Sequence, residues 1–183
     1  DQAYASLKNS ENRPLAVLIQ YDEDDLQSEI DGTAVKNPNG YKMPEGKIKI
    51  ALCGVGGFAK GMHIPNLKKM SDKYEIYAVQ SRTGSNAQSV AVANNAKYST
   101  TDYQKILADK DVDMVMICTR HNLHAQMVVD AMKAGKAVFV EKPMALTQEE
   151  TDLVVKTAKE TGVPFLVGFN RRFSKYAQEA KKI

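Results

Sequence analysis

The chain has 183 residues, of which 43% are hydrophobic, and a formal net charge of +3 from 25 basic and 22 acidic residues. This length and composition suit a globular domain with a core and exclude an intrinsically disordered chain. No apolar run approaches the roughly 18 residues of a membrane-spanning helix, and no nucleic-acid-binding motif accompanies the basic C-terminus. We therefore expect neither a membrane nor a nucleic acid as partner.

The first 46 residues differ in pattern from the rest. Leu15–Gln20 is typical of a strand, whereas residues 22–46 are polar and rich in proline and glycine. We predict an N-terminal extension over residues 1–21, a linker over 22–46 and one nucleotide-binding domain over 47–183. The polar N-terminus lacks a signal segment, and Cys53 and Cys118 lack disulfide or metal spacing, so we expect a cytoplasmic protein with free thiols.

From Lys47 onward, apolar runs alternate with helical stretches. The predicted strands are Ile48–Leu52, Tyr74–Gln80, Lys97–Tyr98, Val112–Cys118, Ala137–Val140 and Phe165–Phe169. The predicted helices are Pro65–Met70, Ser85–Asn95, Asp102–Leu107, Asn122–Ala134 and Thr147–Thr161. The last helix opens on a capping box of Thr147 and Glu150. This alternation predicts an α/β fold, a doubly wound parallel sheet of the Rossmann type with strand order 3-2-1-4-5-6.

The first predicted strand runs into a glycine turn with the pattern G-x-G-x-x-A, formed by Gly54, Val55, Gly56, Gly57, Phe58 and Ala59. Gly54 permits the tight turn, Gly56 lets the backbone approach a pyrophosphate, and Ala59 lets the helix pack closely on the strand. The turn predicts a dinucleotide site at a helix start. S-adenosylmethionine enzymes also use glycine turns here, and a turn without a ligand is the second alternative.

The end of the second predicted strand bears on the choice of cofactor. The sequence there is Gln80-Ser81-Arg82, without the acidic residue that would bind a ribose 2′-hydroxyl. Arg82 would attract a 2′-phosphate and Ser81 could donate to it. We therefore predict NADP in preference to NAD, with a solvated loop charge as the alternative for Arg82.

Polar segments follow the other three long strands. They contribute Thr119, Arg120, His121 and His124 after the fourth strand, Glu141, Lys142 and Pro143 after the fifth, and Asn170 and Arg171 after the sixth. Open α/β sheets bind ligands at the carboxyl ends of their strands, so these residues should border one crevice. The spacing of His121 and His124 could suggest a metal pair, but no third ligand is apparent and we predict no metal. For His63 a packing or cleft-facing role is favoured over catalysis.

The glycine turn, Glu141-Lys142-Pro143 and the segment from Gly168 to Phe173 together resemble the Rossmann half of Gfo/Idh/MocA oxidoreductases, over about Lys47 to Ile183. The resemblance implies hydride transfer between nicotinamide and a sugar, cyclitol or related polyol, with Lys142 as the catalytic residue. It also implies that the substrate domain, the general base and any homo-oligomer contacts lie in a C-terminal half absent from this sequence. We therefore expect cofactor binding without turnover.

The resemblance implies further roles at the crevice. Glu141 would orient the cofactor or Lys142, with an ordinary ion pair as the alternative. Pro143 would fix its loop through a peptide bond that is often cis in the family. Asn170 and Arg171 would border the nicotinamide end, although a solvated face is the alternative for the arginine. The loop that holds His121 and His124 would close over the cofactor.

Three broader alternatives bear on the whole chain. A non-catalytic NAD(P)-binding or sensing module competes with the enzyme, although Lys142 argues against it. A methyltransferase-type domain is disfavoured by the Glu-Lys-Pro motif. Residues 3–7 and 14–20 resemble the end of a medium-chain, zinc-dependent alcohol dehydrogenase, which would make the chain a slice of a fusion protein. The alternative there is an extension whose strand adds to the sheet edge.

Overall fold

A computed structural model describes residues 46–182 of the chain. The predicted extension over 1–21, its strand Leu15–Gln20, and all of the linker except Gly46 lie outside the described residues. Within residues 46–182, no helix combines the length and the apolar character needed to cross a membrane.

One sheet of six strands runs through the described part of the chain in the order β3-β2-β1-β4-β5-β6, which confirms the predicted order. Every neighbouring pair is parallel. The strands are β1 Ile48–Cys53, β2 Tyr74–Gln80, β3 Tyr98–Thr100, β4 Met114–Ile117, β5 Ala137–Glu141 and β6 Phe165–Gly168. The strand order reverses between β1 and β4, so a crevice is expected outside their carboxyl ends.

Helices connect the strands. They are α1 Ile64–Lys69, α2 Gly84–Ala93, α3 Tyr103–Ala108, α4 His124–Lys133, α5 Gln148–Thr161 and α6 Lys175–Ala180. A π-helical turn over Ala59–His63 leads into α1, and a 3₁₀ turn over His121–Leu123 leads into α4. A second 3₁₀ turn, Asn170–Phe173, lies between β6 and α6.

The core has two layers, one on each face of the sheet. Ala51 and Cys53 of β1 face the layer that contains α3, α4 and α5, whereas Ile50 and Leu52 face the layer that contains α1 and α2. All four side chains are fully buried. Successive strand residues point to opposite faces, so a strand covered on both sides must be apolar throughout. This explains why the central strands were recognisable as unbroken apolar runs.

The start of β4 differs from the prediction. Val112 is buried, but it closes a turn in which its N–H donates to the Asp109 carbonyl oxygen at 3.2 Å. The Lys136 ammonium donates to the same Asp109 carbonyl at 2.5 Å and to the Val112 carbonyl at 2.8 Å. Burial lowers the pKa of Lys136, and nearby Asp109 and Asp113 oppose that shift. This lysine therefore satisfies two turn carbonyls, and the strand begins only at Met114.

Candidate functional site

Gly54 brings the glycine turn into contact with the end of β4. Its φ is +86°, and a Cβ at this position would lie 2.6 Å from the Cys118 carbonyl carbon and from the Thr119 nitrogen. The Cys118 N–H donates to the Cys53 oxygen at 2.7 Å, which fixes that approach. Gly56, by contrast, has open space around the Cβ position. Gly54 is thus required by the backbone, whereas Gly56 leaves room for a ligand.

A cleft of about 690 Å³ opens at the carboxyl ends of β1, β2 and β4. Six residues predicted from the sequence line it: Gly54, Gly56, Ser81, Arg82, Thr119 and Arg120. Nine further residues line it that were not predicted as site residues: Val55, Gln80, Thr83, Asn86, Tyr103, Cys118, Asn122, Leu123 and Met127. This is the crevice expected where the strand order reverses.

Asn86 joins three parts of this cleft. Its Nδ2 donates to the Val55 carbonyl oxygen at 3.1 Å and to Ser81 Oγ at 3.4 Å. Its Oδ1 accepts a hydrogen bond from Lys60 Nζ at 2.6 Å. The glycine turn, the end of β2 and the π-helical turn are therefore linked through one amide. The signal that could have found Asn86 is its place in the first turn of the helix after β2.

A second cleft of about 380 Å³ adjoins the first, and both are lined by Cys118 and Thr119. It gathers Phe58, Thr119, His121, His124, Glu141, Lys142, Asn170 and Arg171, all of them predicted from the sequence. Lys142, Asn170 and Arg171 also line a third cleft of about 370 Å³. Three predicted residues line none of these clefts: Gly57 is exposed, Ala59 is buried, and Pro143 contributes its carbonyl to a buried contact.

The Lys142 turn is held by two histidines. The Lys142–Pro143 peptide bond is cis, as the family resemblance implied. His124 is fully buried, with Nδ1 2.7 Å from the Pro143 oxygen and Nε2 3.1 Å from the Thr119 oxygen. His63 Nε2 lies 2.7 Å from Glu141 Oε1. Glu141 therefore pairs with His63, a partner that sequence reasoning did not assign to it.

Four cations line the first two clefts without an anionic partner among the described residues. The side chains of Arg82, Arg120, Lys142 and Arg171 form no hydrogen bond or ion pair with any residue between 46 and 182. Glu141, the carboxylate that lines the second cleft, is engaged by His63. The described part of the crevice thus presents unneutralised positive charge, which suits an anionic ligand.

Two free cysteine thiols, Cys53 and Cys118, lie at or beside the first cleft. Burial raises the pKa of Cys53, and burial together with the Glu141 carboxylate raises the pKa of Cys118 to about 12. Both stay protonated near neutral pH and are therefore poor nucleophiles. Between residues 46 and 182, no group of three His, Cys, Asp or Glu side chains could hold a metal ion.

Comparison with known proteins gives a family match over most of the described chain. The profile of a family described as "Oxidoreductase family, NAD-binding Rossmann fold" (GFO_IDH_MocA) matches residues 48–169. The 4-carboxy-2-hydroxymuconate-6-semialdehyde dehydrogenase of Sphingobium sp. is 40% identical over 127 residues, which cover 69% of this chain and 40% of that protein. The myo-inositol 2-dehydrogenase of Thermotoga maritima is 28% identical over 74% of this chain and 40% of its own length.

Solved structures agree with this match. The WlbA dehydrogenase from Bordetella pertussis, in complex with NADH and UDP-GlcNAcA, superposes with a TM-score of 0.72 at 27% identity, over 77% of this chain and 40% of its own. A putative NADPH-dependent oxidoreductase from Desulfitobacterium hafniense gives 0.68 at 26% identity, over 74% of this chain and 38% of its own. The chain thus spans about 40% of the length of the curated relatives it matches.

Proposed function

Because this chain belongs to the Gfo/Idh/MocA oxidoreductase family with its NAD-binding Rossmann fold, we propose that it is the cofactor-binding part of an NAD(P)-dependent oxidoreductase of a sugar, cyclitol or related polyol. The observation that carries the proposal is the position of Lys142. It lines the second cleft at the end of β5, beside the glycine-turn cleft and without an anionic partner among the described residues.

The residues of the two clefts suit the two halves of a dinucleotide. Gly54 lets the turn approach β4 and Gly56 leaves open space, so the pyrophosphate would lie in the first cleft against backbone N–H groups. The nicotinamide end would lie in the second cleft, bordered by Asn170 and Arg171. When bound, the nicotinamide supplies the carbon that accepts or gives up the hydride.

Lys142 would act on the oxygen of the substrate. Its ammonium is a compact donor at the mouth of two clefts, where it can hydrogen-bond the hydroxyl or carbonyl oxygen that gains or loses a proton. The family resemblance supports a general base from outside these 183 residues, so this chain is expected to bind cofactor without turnover. The sugar or polyol substrate class, a homo-oligomer and a cytoplasmic location stay predictions.

NADP is the cofactor that the first cleft favours. Arg82 and Ser81 stand at the end of β2, where a 2′-phosphate would lie. Lys60 adds a second cation, since its ammonium is bound to Asn86, which in turn donates to Ser81. Two cations and a hydroxyl suit a phosphate better than a bare ribose hydroxyl.

Calorimetric titration of the chain with NADPH, NADH and S-adenosylmethionine tests both parts of the proposal. NADPH should bind more tightly than NADH, and Arg82→Asp should weaken NADPH binding by about tenfold, or roughly 1.4 kcal/mol, with little effect on NADH. Arg172→Asp is the matched control, because Arg172 lies outside the first cleft and should leave the NADPH-to-NADH ratio unchanged. A preference for NADH would refute the NADP assignment. Binding of S-adenosylmethionine alone, or of no nucleotide, would refute the oxidoreductase.

A further inference from the structure

The carboxylate of Glu141, the residue before Lys142, is held in a defined position by a neighbouring side chain. A carboxylate can only accept hydrogen bonds, so His63 Nε2 must donate across the 2.7 Å contact to Glu141 Oε1. The two side chains are 15% and 14% exposed, which shields the contact from water. The hydrogen bond is therefore stronger than a surface pair of the same geometry.

Aromatic rings fix the orientation of His63. The Phe58 ring meets it edge-on at a centroid distance of 5.2 Å, and the Phe139 ring does so at 5.4 Å. Phe58 belongs to the glycine turn and Phe139 to β5, so the imidazole lies between the two elements that it joins. Edge-to-face contacts of this kind favour the observed orientation of the ring.

The neighbouring strand leaves room for the carboxylate. Gly168 of β6 pairs with Glu141, and a Cβ there would lie 3.1 Å from Glu141 Oε1 and 2.9 Å from Phe139 Cζ. A side chain at this position would therefore require the Phe139 ring or the Glu141 carboxylate to shift. The place of Glu141 thus depends on β5, β6 and the π-helical turn together.

His63 is close to the chemistry without lining the clefts in which it would occur. It borders neither the first nor the second cleft, whereas Glu141 and Lys142 both line the second. It lies at the end of the π-helical turn that begins at Ala59, the last residue of the glycine turn. One hydrogen bond therefore connects the phosphate-binding turn to the residue beside Lys142.

We propose that His63 is a positioning residue, which fixes the backbone of Lys142 by holding Glu141 and so couples the glycine turn to the catalytic lysine. His124, bound to the Pro143 oxygen, holds the other side of the same turn. The proposal rests on the proposed function for the catalytic role of Lys142, whereas the rigidity of the turn can be measured in the free protein.

The test uses the full chain labelled with ¹⁵N-lysine, in which Lys142→Arg identifies the Lys142 amide signal. In the wild type the backbone order parameter at Lys142 should be about 0.85, typical of a rigid backbone. His63→Phe keeps the ring but removes the donor, and the order parameter should fall below about 0.6. His63→Gln keeps a side-chain N–H and should restore the wild-type value. Lys156, exposed on α5, should be equally rigid in every variant and reports the integrity of the fold.

Either of two results would overturn the positioning role: a Lys142 amide that stays rigid in His63→Phe, or one that is equally mobile in His63→Phe and His63→Gln. If His63→Phe does not fold, Glu141→Ala removes the acceptor instead, and a rigid Lys142 in that variant overturns the role as well. Titration of the wild type with NADPH and with NADH is read separately. If the Lys142 signal moves with neither NADPH nor NADH, the proposed function fails, while the order parameters of the free protein still decide the role of His63.

Discussion

Two glycines of one turn have different physical reasons to be glycine. Gly54 combines a φ of +86° with backbone atoms of Cys118 and Thr119 that leave no room for a Cβ. Gly56 has no atom within 4 Å of its Cβ position, and it lines the first cleft. The first is therefore a requirement of folding, and the second a requirement of whatever occupies the cleft.

Alanine substitutions should separate these two requirements. Gly54→Ala must move the end of β4 or leave the left-handed region, so it should lower the free energy of unfolding by about 2 kcal/mol or more. Gly56→Ala should change it by no more than about 0.5 kcal/mol, yet weaken NADPH binding by about tenfold or more, because a methyl group would occupy the space of the pyrophosphate. Urea unfolding and calorimetry measure the two effects. A Gly54→Ala variant of wild-type stability would contradict the close approach.

The residues that belong to local sequence motifs could be predicted. The residues that are defined by a side-chain contact with a partner distant in sequence could not. Gly54 and Lys142 stand in short patterns that follow an apolar strand, so their places could be predicted. The His63–Glu141 contact joins residues 78 apart in sequence, and the Lys60–Asn86 contact joins residues 26 apart. No spacing rule relates such partners, because the sheet and the helices must form before the side chains meet.

Helix α5 shows how a local signal fixes the start of an element. Thr147 Oγ1 accepts from the Glu150 N–H at 3.2 Å, and Glu150 Oε2 accepts from the Thr147 N–H at 3.3 Å, which confirms the predicted capping box. Glu150 Oε2 also accepts from the Leu146 N–H at 2.7 Å. The helix ends at Gly162, whose φ is +61°. Both ends were predictable because their signals are local: a nearby side chain satisfies backbone N–H groups at the start, and a glycine takes the left-handed conformation at the end.

Removal of the N-cap of α5 should lower the free energy of unfolding of the domain. Thr147→Ala leaves the Glu150 N–H without its side-chain acceptor and should lower the free energy of unfolding by about 1 kcal/mol. Lys159→Ala, at an exposed position of the same helix, should change it by less than about 0.5 kcal/mol. Chemical denaturation followed by circular dichroism compares the two. Equal stabilities for Thr147→Ala and the wild type would mean that α5 does not depend on its cap.

Elements whose ends depend on tertiary contacts were predicted less well. The π-helical turn over Ala59–His63 was not anticipated, and α1 begins at Ile64, one residue before the predicted Pro65. The short helix α6 carries no buried side chain and was not predicted either. Ser174 caps α6 by accepting a hydrogen bond from the Ala177 N–H at 3.3 Å, but without an apolar stripe this cap alone did not predict a helix.

The distribution of charge over the described part of the molecule differs between the two ends of the sheet. At the amino ends of the strands, Asp111 forms ion pairs with Lys49 and Lys97. Hydrogen bonds from Tyr77 and Lys97 lower the pKa of Asp111. At the carboxyl ends, the arginines and Lys142 that line the clefts have no anion among the described residues. The positive crevice is therefore separated from the acidic Asp111, which lies at the opposite end of the sheet and is paired there.

This asymmetry predicts that cofactor binding depends on salt, and more strongly for NADPH than for NADH. A rise in ionic strength from about 0.01 to 0.15 M shortens the screening length from about 30 to 8 Å, and the dissociation constant of NADPH should rise roughly tenfold, against about threefold for NADH, which lacks the 2′-phosphate charge. Calorimetry at constant pH measures both slopes. Arg82→Gln should bring the NADPH slope down to that of NADH, whereas Lys110→Gln, an exposed residue before β4 at the far end of the sheet, should leave it unchanged. Equal slopes for the two wild-type titrations would mean that the positive crevice does not contact the 2′-phosphate.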